Sequence, residues 1–164
     1  MAQEKEVDVG AASARAYWVS TVDPTYYEFV QHQSRENALN AMKVLWEMAD
    51  WFWREQQRRG RGSNAQKEMF IGALVSTCPE LSYIRDVVES LKHGGRLGGP
   101  GVKISAFKGA GSPGGVATVT TPYGAQQFVP ESHLRFECSD GSVHPAANVL
   151  DIVKRFWQRK LEHS

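Results

Sequence analysis

Long hydrophobic runs are missing from this chain, and no apolar stretch approaches the roughly 20 residues that span a bilayer. A transmembrane helix is therefore not expected. Cysteine is scarce: Cys78 and Cys138 stand 60 positions apart, too few and too far apart for a disulfide framework. The opening MAQEKEVDVG lacks the apolar run of a secretion signal, so a reducing cytoplasm is the expected compartment. Net charge is almost absent at +1, so no global field draws nucleic acid or an anionic membrane, and any such binding must come from a local patch. Acidic residues vanish between Gly94 and Gly115, where nine glycines accompany Arg96, Lys103 and Lys108. Ordering such a run costs much backbone entropy, and part of it is expected to move.

A length of 164 residues, 41% of them hydrophobic, is enough for one sizeable core and one domain. Its organising stretch is 34–59. Ala38, Ala41, Met42, Leu45, Ala49, Phe52 and Trp53 recur at the three-and-four spacing that gathers side chains onto one helix face, with Asn40, Lys43, Glu47 and Arg54 opposite. Trp46 and Trp51 widen the apolar surface beyond one stripe, which predicts more than one neighbour for this helix. Ser34 is its expected cap, and Asp50 with Arg54 its i,i+4 ion pair.

Around it the pattern predicts further elements. Residues 1–15 lack periodicity and read as a disordered or loosely attached arm, with the fold beginning near Ala16. Asp23-Pro24 reads as a helix start, an acceptor followed by proline at the first helical position, opening a short helix to near His32. Ser63 restarts a helical pattern carrying Met69, Phe70, Ala73 and Leu74 to about Ser76. A clearer one spans 79–93, with Leu81, Ile84, Val88 and Leu91 as its apolar stripe and Gly94 as its stop. Strands are predicted over 102–107, 116–121 and 134–138, a turn at Ser139-Asp140-Gly141-Ser142, and a last helix from Pro145 to about Leu161. The expected fold is α+β, mainly α: a single domain over 16–164, with a bundle of four to five helices over 24–93 and 145–161. A glycine-rich β lobe over 94–144 places a small antiparallel sheet before the C-terminal helix.

Several residue groups can carry chemistry. On the helix over 79–93, Arg85 and Lys92 are nearly eclipsed after two turns, with Glu89 and His93 beside them, a set suited to an anionic ligand. An arginine can stabilise a phosphoryl transition state, and a histidine can shuttle the proton of a ribose hydroxyl. The competing reading is a solvated face whose basic residues favour the C-terminal end of the helix dipole. Cys78, ahead of Pro79 at a helix start, is a candidate nucleophile with His32 or His93 as base, or a buried cap residue. His133, Cys138 and His144 match no zinc spacing, so no metal is expected. GGRLGGPG lacks the phosphate-loop pattern, and no cofactor is expected. Arg54, Arg58, Arg59 and Arg61, with Arg96, Lys103 and Lys108, form a basic surface if the loops fall on one side. Tyr123 and Phe128 would then stack bases. Otherwise they are solvated charges at helix ends and loops.

With Asp50 in ADWFW on the long helix and CPELSYIRDVVESLKH on a later one, residues 24–93 resemble a group of uncharacterised small bacterial proteins. Their helical part is similar in outline to bundles of the HEPN superfamily. The resemblance implies an RNA-cutting toxin or phage-defence effector in which Arg85 and His93 are catalytic, without a metal and across a dimer interface. Seven residues separate the two here, a longer interval than the family motif has, and the superfamily also holds non-catalytic members. Two functions follow. The first is a non-enzymatic binding or assembly module of a bacterial or phage-related cytoplasmic system, with a protein partner or a homodimer and with Arg58, Arg59, Arg61, Lys92 and Arg96 as contact residues. The second is a metal-independent RNA endonuclease.

Overall fold

The computed structural model describes residues 13–57, 62–97, 101–109, 116–120, 126–130 and 133–164. The architecture is α+β and mainly α, with a small antiparallel sheet before the C-terminal helix. Ser13 caps a first helix, α1 (Ala14–Tyr17), its hydroxyl accepting from the Ala16 N–H, and Ala14 is buried. Residues 13–15 are thus already part of the fold and not of an arm, whereas 1–12 lie outside the described residues.

Asp23-Pro24 does not start a helix. The helix runs through it, from α1 by way of a π-helical segment (Trp18–Val22) into α2 (Asp23–Gln31). Proline lacks an N–H and crowds the carbonyl four residues before it. The chain meets this by widening its register, so that the Asp23 N–H bonds to the Trp18 carbonyl five residues back. Asp23, itself helical, pairs with Lys154 at 3.2 Å and caps nothing.

The long helix α3 (Arg35–Gln57) buries Ala38, Ala41, Met42, Val44, Leu45, Met48, Ala49 and Trp53 and touches every other helix. Its wide tryptophans find partners outside the main stripe, Trp51 stacking on Tyr17 with ring centroids 5.1 Å apart. Asp50 is paired with Lys67 of the next helix at 2.7 Å; the Arg54 guanidinium lies over the Trp51 ring. The i,i+4 spacing of Asp50 and Arg54 was sterically open, but a lysine from a neighbouring helix took the carboxylate.

Ser63 opens α4 (Asn64–Thr77) in a capping box with Gln66. Gly62 precedes it with no room for a side chain, since a Cβ there would come within 2.6 Å of the Trp53 ring. α5 (Glu80–Lys92) ends in a left-handed Gly94 at φ +71°, and the Gly95 N–H returns to the Ser90 carbonyl, the hydrogen bond of a Schellman stop. Leu91, which the sequence places in the apolar stripe, is exposed. Ser82, Asp86 and Ser90 are buried instead.

The three-stranded sheet runs β1 (Ile104–Lys108), β4 (Arg135–Cys138), β5 (Val143–Pro145), antiparallel throughout. Between β1 and β4 in the chain, β2 (Val116–Thr120) and β3 (Gln126–Pro130) pair only with each other, Val116 opposite Pro130 and Thr120 opposite Gln126. The single sheet expected from 102 to 138 is therefore two. α6 (Ala146–Glu162) packs back on α3, and Phe52 stacks on Trp157 at 5.3 Å. Helices and the three-stranded sheet share one core, in which Ile104, Phe107 and Phe136 join the helical residues.

Candidate functional site

Arg85 projects from the middle of α5 and its guanidinium is already engaged, donating to Asp86 Oδ1 at 2.9 Å and to the Gly101 carbonyl at 3.1 Å. The Asp86 side chain is 2% exposed. A carboxylate so buried must be compensated by donors. Besides Arg85, the backbone N–H groups of Lys103 and Ile104 supply them, at 2.5 and 3.2 Å. One side chain thereby ties α5 to the start of β1, and Arg85 completes the tie.

The other residues of this face do not join Arg85. Lys92 pairs with Glu89 at 3.0 Å, both well exposed, a contact worth little in water. His93 is exposed at the α5 C-cap, and Arg96 is exposed beyond it. Eight positions of helix separate Arg85 from His93, about 12 Å along the axis. No hydrogen bond or ion pair joins the two side chains. Arg58, Arg59 and Arg61 lie outside the described residues.

Arg85 does border an open cleft of about 450 Å³ between α4 and α5. Ile71, Gly72 and Val75 line it, with Asn64, Lys67 and Glu68 at its α4 end. Lys67 is paired with Asp50 and Arg85 with Asp86, so both cations that line the cleft have carboxylate partners. Apolar lining with a few polar groups is the ordinary make-up of a small-ligand cleft.

Beside the cleft, α4 turns a second surface outward. Ala65, Met69, Gly72, Ala73 and Ser76 are all exposed, Met69 at 75%, and their spacing of four, three, one and three places them on one face. Only Leu74 of this helix is buried. Met69 and Ala73 mark this helix in the sequence, but the apolar residues of α4 surround its axis and form no single stripe, so the pattern does not show which of them stay exposed.

The remaining candidates resolve separately. Burial pushes the Cys78 thiol up to about 11, and the Glu80 carboxylate, which accepts from its Sγ at 3.6 Å, adds to the shift. A thiol held protonated is a poor nucleophile. His93, at the opposite end of α5, is too remote to serve it as base. Among the described residues no group of three His, Cys, Asp or Glu can hold a metal ion. Cys138 is buried, and the His144 ring meets the Ser142 hydroxyl at 3.1 Å and the Tyr83 ring at 5.2 Å. Of the residues expected to form a basic surface, Lys108 pairs with Glu137 at 3.2 Å and the Arg54 guanidinium lies over the Trp51 ring. Tyr123 lies outside the described residues. Among those described, no helix is long and apolar enough to cross a membrane.

No family model matches the chain, and neither a curated protein nor a solved structure matches it.

Proposed function

We propose that this protein is a non-enzymatic binding and assembly module whose contact surface is the outer face of α4, and that its partner there is a second copy of the chain. The carrying observation is Met69, 75% exposed within a row of small residues. Small side chains let two helices approach closely, and Met fills the irregular gaps between them. A two-fold axis perpendicular to α4 brings the same face to both sides and sets the two α4 dipoles antiparallel, which is electrostatically favourable.

The nuclease reading has weaker support, because Arg85 is paired with Asp86 and His93 stands eight positions further along, at the C-cap of α5. Sedimentation velocity on the wild type and Met69→Lys, with RNA cleavage assayed in EDTA on the same samples, separates the two. The module reading expects a dimer that Met69→Lys disperses, and no cleavage. A wild type that stays monomeric at high concentration overturns the α4 pairing. Cleavage lost in Arg85→Ala that keeps its helical circular dichroism overturns the non-enzymatic reading.

A further inference from the structure

The α4–α5 junction and the last turns of α6 line a separate open cavity of about 350 Å³. Its floor is apolar, from Phe156 and the partly exposed Ile152. Two cationic side chains of the last turn of α6, Arg159 and Lys160, line one wall together with His163, the residue that follows the helix. The Arg159 guanidinium has no partner among the described residues. Lys160 Nζ lies 5.6 Å from the centre of the Phe156 ring, at the edge of the floor. His163 Nδ1 is 2.6 Å from the Arg159 carbonyl. Nδ1 must donate in that bond, which leaves Nε2 free for a ligand.

The α5 side of the cavity carries the one acidic group, Glu80, and it accepts the Cys78 S–H. Cations thus outnumber carboxylates and gather on one wall beside apolar surface. We propose that this cavity binds a small organic oxyanion with a short apolar tail, its head on Arg159 and its tail over Ile152 and Phe156. A planar guanidinium takes a carboxylate or phosphate through two parallel N–H bonds, which fixes the head. The volume falls within the range of small-molecule sites.

The test is a titration of the ¹⁵N-labelled full chain with octanoate at low salt, followed by amide chemical shifts. Saturable shifts confined to the cavity lining, Thr77, Ile152, Arg159 and His163 among them, are expected. Arg159→Glu should weaken binding about tenfold or more. Arg159→Gln should weaken it less, and Lys43→Glu, an exposed charge change on α3, should leave it unchanged. Octanol should not bind. Octyl phosphate in parallel identifies the head group: binding of either anion carries the proposal, and binding of neither overturns it. Equal binding of octanol, or no effect of Arg159→Glu in a variant with native dichroism, also overturns it.

Discussion

α4 and α6 are helices of similar length, 14 and 17 residues, yet α6 buries seven side chains and α4 buries one. Composition does not explain the difference, since α4 holds Met69, Phe70, Ile71, Leu74 and Val75. Placement does. In α6, Ala146, Val149, Leu150, Val153, Trp157 and Leu161 follow one face, so packing that face against α3 and α5 covers them. In α4 the apolar residues circle the axis, and any one neighbour leaves some of them in water. A helix anchored so lightly is a poor source of stability and a good source of contact surface.

The largest expected effect tests α6. Leu150 is fully buried, and Leu150→Ala removes its contacts and opens a cavity in the shared core. The variant should lose about 2–5 kcal/mol in urea unfolding. A loss below about 1 kcal/mol would place α6 with α4 and break the comparison.

Leu74→Ala probes the other side. It is the one fully packed residue of α4, so its truncation should free that helix locally before the whole protein unfolds. The expected global cost is about 2 kcal/mol, with fast amide exchange confined to α4. Protection lost equally in α3 and α6 would show that α4 unfolds with the core.

A third way of holding an element, neither stripe nor anchor, is the Asp86 tie. Asp86→Ala strands the Lys103 and Ile104 N–H groups and leaves Arg85 without its carboxylate. About 1–3 kcal/mol should be lost, together with exchange protection at those two amides. If both amides stay protected, another acceptor replaces the carboxylate and the tie is not needed.

The same contrast marks what could be read in the sequence. Elements set by periodicity and caps were legible: α3, α5 and α6 fall where their apolar spacing, the stop at Gly94 and the start at Pro145 put them. Elements decided by contacts distant in the chain were not. Pro24 signals a helix start locally, whereas burial of Trp18 and Val22 before it and of Phe29 after it accompanies a helix that continues through a π register. β3 carries just Phe128 and Val129 as strand-forming apolar residues, and the three residues of β5 give no periodicity at all. Arg85 stands out in the sequence as a candidate for an anionic ligand, and in the structure its guanidinium pairs with Asp86. No spacing reveals that an aspartate on a helix face meets the backbone of a strand 17 residues later. The exposed row on α4 was visible only as letters, because periodicity says which residues share a face and not what that face meets.

The smallest expected effect on stability is therefore the most informative about function. Met69→Lys places a cation where the side chain is already 75% exposed, so the isolated chain should change by no more than about 0.5 kcal/mol. Association is another matter, since a pair of α4 faces would have to bury two unpaired ammonium groups. Binding to the native state alone raises apparent stability with concentration. The wild-type melting temperature should accordingly climb as protein concentration rises, while that of Met69→Lys stays flat and meets the wild-type value at high dilution. Parallel climbs in both proteins would move the interface away from α4, and a lower melting temperature for the variant even at high dilution would mean that Met69 belongs to the core after all.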